Sequence, residues 1–171
     1  IVMRLVGSEM CIRDRNYTLR YFLELSYKGT SYHGWQRQPN AISVQQVMEE
    51  ALSTLLGKET QIVGAGRTDA GVHAKQMFAH FDTDISENQA SELVFRLNQF
   101  LPESIAIIAT YPVASDAHAR FDAIYRSYEY HITSQKNPFA NEQAYFFNAP
   151  LDIEAMNTAA ALLLKLSHIH I

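Results

Sequence analysis

The feature that most limits the fold of this chain is a change of hydrophobic period, from two to about 3.6 and back, made twice before residue 113. In residues 17–28, Tyr21, Leu23, Leu25 and Tyr27 alternate with Arg20, Phe22, Glu24 and Ser26, as in a strand with one buried face. After a loop rich in Gly, Ser, Tyr and Pro, Ser43 with Gln46 three residues on predicts a capping box. Val44, Val47, Met48, Ala51, Leu52, Leu55 and Leu56 form an apolar helical stripe that Gly57 stops. Residues 60–63 predict a short strand leading into a Gly-rich turn at 64–71, and residues 75–83 alternate again. Ser86 with Gln89 predicts a second box, and Ala90, Leu93, Val94, Leu97 and Leu101 a second stripe ending at Pro102. Residues 105–113 read as a fourth strand. The order β-α-β-β-α-β makes the chain α+β, with the ferredoxin-like or RRM-like split βαβ pattern. Such a sheet packs helices on one face and leaves the other open to a partner. Residues 125–133 predict a further strand on which Arg126, Tyr128 and Tyr130 share a face. Asp152 caps a helix carrying Ile153, Met156, Ala160, Leu163 and Leu164, the start of a second, similar α/β domain.

The two ends do not fit this scheme. Residues 1–15 show neither alternation nor caps, nor the regions of a signal peptide. Met10 to Asp14 can be encoded by a stretch resembling a transposon mosaic end used in sequencing libraries, and residues 166–171 by a variant of its opposite strand. The expected division is therefore 1–15 and 166–171 as adapter-like, non-native extensions, 16–114 as a first α/β domain, and 115–165 as an incomplete second one. The boundary is placed in the loop 115–122. On this reading Cys11, His168 and His170 carry no chemistry, and the chain is a fragment.

Composition narrows the function classes. With 19% charged residues and a net charge of −4, nucleic acid can be gripped only by locally placed Arg and Lys, not by a polybasic arm. The single Cys excludes an internal disulfide and a multi-cysteine zinc site. No apolar run reaches the length of a membrane span. His33, His73, His80 and His118 lack the helical i, i+4 pairing of zinc sites, so neither metal nor cofactor is expected.

Chemistry concentrates in three segments. In Gly66-Arg67-Thr68-Asp69-Ala70-Gly71-Val72-His73-Ala74 a carboxylate sits between glycines, where backbone can approach a ligand closely. Arg67 can hold Asp69 ionised or grip a phosphate; equally, Asp69 can cap backbone N–H groups of the turn. Gly64-Ala65-Gly66 begins like a dinucleotide fingerprint, but Asp69 stands where its third glycine belongs. The turn also leads into a strand, so no helix N-terminus is offered to a pyrophosphate. The second segment, Tyr32-His33-Gly34-Trp35-Gln36-Arg37-Gln38, suits base stacking and phosphate contact, or is a surface loop anchored in the core by Trp35. The third is His118-Ala119-Arg120-Phe121, followed by Tyr125-Arg126-Ser127-Tyr128-Glu129-Tyr130. A strand Tyr there stacks on a base, exchanges a proton or fills a core.

Taken in order, these segments resemble the tRNA pseudouridine synthase A family. Gly66 to Ala74 is similar to its signature, residues 27–38 and 118–130 match on either side, and the similarity runs from about Tyr17 to Leu164. The resemblance implies isomerisation of uridine to pseudouridine in the tRNA anticodon arm, at positions 38 to 40, by a cytoplasmic homodimer without a cofactor. It places the catalytic aspartate on Asp69, the active-site tyrosine on Tyr128, and the arginine that helps displace the target base on Arg67. RNA contacts are expected at His33, Trp35, Gln36, Arg37, His73, Lys75, Arg120 and Arg126. Because the family carries a longer second half, the resemblance also implies that this chain alone is inactive or nearly so. Two other functions share these residues. One is a non-catalytic RRM-like RNA-binding module, although residues 75–81 lack the Gly and the spacing of an aromatic RNP strand. The other is a pseudouridine synthase acting on a different RNA.

Overall fold

Alternation along the strands and helical stripes between them are realised as one α+β unit with a well-packed core. The computed structural model describes residues 18–140 and 142–163. The adapter-like extensions expected at 1–15 and 166–171, with Cys11, His168 and His170, lie outside the described residues, as do Tyr17 and Leu164. The chain divides into two compact units, one ending at Tyr125 and the other beginning at Arg126. Residues 115–122, where the sequence suggests a boundary, are hydrogen-bonded to the first unit: Arg20 Nη1 donates to the Ala117 carbonyl at 3.0 Å.

In the first unit the elements run β1 (Leu19–Tyr27), α1 (Val44–Leu56), β2 (Val63–Gly64), β3 (Ala74–Thr83), α2 (Glu87–Phe100) and β4 (Ile105–Val113), with a 3-10 turn at Gly29–Ser31. The strands form one antiparallel sheet in the order β2-β3-β1-β4. Tyr21, Leu23 and Leu25 face Phe81, Ala79 and Met77 across the β1–β3 ladder, and all six are buried. Against β4 the register slips between Glu24 and Leu25. The slip brings Ile107 and Ile105 opposite Leu25 and Tyr27, on the core face, since one residue of shift exchanges the faces of a strand. Val44, Met48, Ala51 and Leu52 from α1, and Ala90, Leu93 and Leu97 from α2, cover that face, each at most 1% exposed. Each buried Leu or Val side chain contributes about 1.5–3 kcal/mol relative to exposure.

The helix ends follow their chemistry with one departure. At α2 the capping box is complete: the Gln89 amide donates to Ser86 Oγ at 3.4 Å and the Ser86 amide to Gln89 Oε1 at 2.9 Å. At α1 only half of the expected box forms. Ser43 Oγ accepts from the Gln46 amide at 3.3 Å, but the Gln46 side chain turns to Glu50 Oε1, at 2.9 Å, one turn further on. Gly57 ends α1 at φ 69°, the left-handed conformation glycine takes without a Cβ penalty.

The strand expected at 60–63 is displaced to Val63–Gly64, which pair with His80 and Ala79. The reason lies in α1. The Thr60 amide donates to Ser53 Oγ at 2.9 Å and the Ile62 amide to Glu49 Oε1 at 3.2 Å, while the Ile62 carbonyl accepts from Gln45 Nε2 at 3.0 Å. Helix side chains thus satisfy backbone groups that a strand neighbour otherwise would.

The second unit holds β5 (Ile132–Thr133) paired in parallel with β6 (Tyr145–Phe146), and α3 (Ile153–Leu163). Asp152 Oδ1 accepts from the Ala155 amide at 2.9 Å, the expected cap. The strand expected over 125–133 is reduced to its last two residues. Alternation equips a segment to pair, but among the described residues only Ile132 and Thr133 find a ladder partner. Among residues 126–140 and 142–162 none is buried. Among the described residues no helix is long and apolar enough to cross a membrane.

Candidate functional site

The loop after β1 and the turn before β3 are joined residue by residue. The Trp35 amide donates to the Thr68 carbonyl, and the Gly71 amide to the Tyr32 carbonyl, both at 3.2 Å. The Gly29 amide donates to His73 Nδ1 at 3.0 Å, and the Tyr27 and Thr68 hydroxyls share a hydrogen bond of 2.9 Å. Three glycines permit this closeness: a Cβ at Gly29 would fall on the Val72 carbonyl oxygen. Gly34 has φ 84°, and a Cβ there would fall on the Thr68 carbonyl oxygen. A Cβ at Gly64 would run into the indole of Trp35. Trp35 itself is 3% exposed, its ring 6.1 Å from that of Tyr27. The indole therefore anchors the loop in the core, the second of the two roles the sequence left open for it.

Asp69 sits on the turn these contacts fix. Its carbonyl accepts from the Val72 amide at 3.3 Å, but among the described residues its carboxylate has no hydrogen-bond or ion-pair partner, and the residue is exposed. Three other aspartates are engaged. Asp122 and Asp152 accept backbone N–H groups through their side chains, and Asp82 is bound to Arg20. Capping of the turn by the Asp69 side chain is thus not realised, and no ion pair joins Arg67 to Asp69 among the described residues. Thr68 between them is pinned through both its carbonyl and its hydroxyl, so the flanking side chains are set independently.

Arg67 instead lines a small cleft of about 130 Å³ with Arg120, Trp35, Gln36, Gln45, Gly64 and Gly66. Two arginines and Gln36 beside so small a space suit a phosphate oxygen group, while the Gln45 amide is already engaged by Glu49 and the Ile62 carbonyl. The remaining expected contacts are distributed. Arg37 is paired to Glu49 at 3.2 Å, which also holds Gln45 and the Ile62 amide. His33 lines a separate shallow groove with Pro39, Asn40 and Ile42. The His73 ring serves the Gly29 amide, and Lys75 is exposed at the start of β3. Arg126 and Tyr128 belong to the second unit, both exposed and outside any strand.

The sheet face opposite the helices carries a polar cluster of which the three sequence segments contain only His118. Glu24 accepts from Gln76 Nε2 at 2.6 Å and from the Tyr111 hydroxyl at 2.7 Å. These two bonds hold its carboxyl below the usual range. His80, 5% exposed, stands near His118, ring centroids 4.6 Å apart. The available signal was modest: Glu24, Gln76 and His80 occupy the polar phase of alternating strands. Among the described residues no group of three His, Cys, Asp or Glu side chains could hold a metal ion.

An antiparallel α+β sheet domain, with an unpaired carboxylate on a clamped turn and an arginine-lined cleft beside that turn, has the equipment of a protein that handles a polyanion. The comparison with protein families makes this specific: residues 25–122 match the family described as tRNA pseudouridine synthase, and the chain belongs to that family. It is 49% identical over 148 residues to the tRNA pseudouridine synthase A of Bacteroides fragilis, covering 86% of this chain and 59% of the relative. It is 53% identical over 145 residues to that of Porphyromonas gingivalis, covering 84% and 58%. To that of a Thermoanaerobacter species it is 38% identical over 142 residues, covering 82% and 58%. The chain thus spans about three-fifths of the length of these curated relatives.

Proposed function

We propose that this chain is the carboxylate-bearing part of an enzyme that isomerises uridine to pseudouridine in the anticodon arm of tRNA, with Asp69 as its catalytic group. One observation carries the reading: within a family matched over residues 25–122, Asp69 is an exposed carboxylate without a partner among the described residues, on a turn held from both sides.

The chemistry requires little else. The N1–C1′ bond breaks, the uracil turns, and C5 bonds to C1′. The C5 proton leaves to solvent and N1 regains one, so no redox change and no co-reactant enters. The carboxylate acts either as a nucleophile on the nucleoside or as a base at the ribose, and both routes require that it reach the sugar. The target base must first leave its stack, at a cost of a few kcal/mol. Arg67 filling the vacated space and Tyr128 stacking on the displaced ring offset part of this. Arg120 and Gln36 in the Arg67 cleft, and His33, Arg37, His73, Lys75 and Arg126 at their separate places, meet the sugar-phosphate backbone.

The same proposal includes the split βαβ arrangement of residues 16–114, a second α/β domain begun by residues 115–165, adapter-derived ends, and a cytoplasmic homodimer for the whole protein. It also has the 171-residue chain inactive alone. Tritium release from an anticodon arm labelled at uridine C5 tests this. The chain alone should release none, and the chain extended with the remaining two-fifths of the Bacteroides fragilis relative should turn over. Robust release by the chain alone would refute the incomplete-site reading.

A further inference from the structure

On the sheet face away from the helices, residues 114–122 are held by three contacts. Arg20 Nη1 donates to the Ala117 carbonyl at 3.0 Å, while its Nε and Nη2 grip Asp82 at 2.7 and 2.8 Å. The His118 ring meets that of His80 edge-on. The Ala119 amide donates to His80 Nδ1 at 3.1 Å; Ala119 is 3% exposed and His80 5%. The turn beyond is built on His118. Its Nδ1 accepts from the Arg120 and Phe121 amides at 3.2 and 3.3 Å, and its own amide donates to Asp122 Oδ2 at 2.7 Å. Arg120, which shares the cleft with Arg67, is therefore oriented by a turn whose buried amide is tied to one ring nitrogen.

We infer that His80 is a positioning residue: its bare Nδ1 anchors the 118–121 turn so that Arg120 stands at the Arg67 cleft, and capture of RNA there depends on that bond. This rests on the reading of the cleft as an RNA site. A proton on Nδ1 sets one N–H against another and leaves a buried amide unsatisfied. The charged and titratable groups facing the ring come from β1, β3 and the loop: Arg20, Asp82, His118 and Asp122. Burial, then Arg20 and His118, push His80 below the ordinary histidine range, while Asp82 and Asp122 act the other way. The bond is therefore intact at neutral pH and is lost as pH falls through this depressed pKa.

The test uses the 171-residue chain, following protection of the Ala119 amide by NMR hydrogen exchange and binding of an anticodon-arm RNA, from about pH 4 to about pH 8. Wild type should protect Ala119 at neutral pH and lose about tenfold or more in acid. His80→Asn, whose Oδ1 replaces Nδ1 as acceptor and does not titrate, should protect it throughout and bind RNA within about twofold of wild type. His80→Phe should protect it nowhere and bind about fivefold more weakly at neutral pH. Unchanged protection or affinity in His80→Phe overturns the inference. Should that variant fail to fold, wild type and His80→Asn decide, and parallel protection curves in acid overturn it. RNA bound equally by all three proteins sinks the role of His80 alone. RNA bound by none, with Ala119 still following His80, sinks the RNA reading and this consequence of it together.

Discussion

Helices α2 and α3 are built from similar patterns and meet different fates. Leu93 and Leu97 of α2 are 1% and 0% exposed, whereas Ile153 and Met156 of α3 are 57% and 45% exposed. Both helices begin at a side chain that accepts the N3 amide, Ser86 and Asp152. The difference lies in what each finds to cover. α2 lies on a four-stranded sheet, while the second unit's strand pairing is two residues against two. A periodic stripe specifies what an element can bury, and a paired sheet face decides whether it does.

Core truncation should show this contrast at its largest. Leu93→Ala is expected to cost about 3 kcal/mol in urea unfolding, and Met156→Ala to stay within about 0.5 kcal/mol; equal costs would break the comparison. Next comes Glu49→Ala, which strands the buried Ile62 amide and frees Arg37 and Gln45. A loss of about 2 kcal/mol is expected by the same measurement. The caps give a smaller, sharper test. Ser86→Ala should cost about 1 kcal/mol of global stability, while Asp152→Ala should lower helicity by circular dichroism and leave the urea midpoint unmoved. Smallest is the pH effect at Glu24. Its carboxyl is held low by Gln76 and Tyr111, so its contribution is complete above the ordinary carboxylate range and is lost as pH falls through the depressed pKa. Unfolding of Glu24→Gln should therefore depend less steeply on pH in acid than wild type; identical slopes would remove Glu24 from that balance.

Much of the first unit was legible because local and tertiary signals agree. The stripe from Ala90 to Leu97 and the Ser86–Gln89 box both say helix, and both are found. Legibility ended where a side chain elsewhere took over a backbone group. Glu49, Gln45 and Ser53 draw Thr60 and Ile62 out of the strand the sequence suggests, and Glu50 takes the Gln46 side chain from its box. At the site, the turn bearing Asp69 and the loop bearing Trp35 were each visible as motifs. Their interlocking through Thr68, Gly71 and Gly34 was not, since it joins residues over thirty apart in sequence. The bond from Ala119 to His80 spans 39 residues and depends on a histidine whose place in an alternating strand looks ordinary.

Removal of the Asp69 carboxylate decides the functional reading most directly. In the chain extended with the rest of the Bacteroides fragilis relative, Asp69→Ala should lower tritium release from C5-labelled uridine by about 10³-fold or more, with anticodon-arm affinity within about threefold of the parent. Turnover retained within about tenfold would show that another group performs the isomerisation.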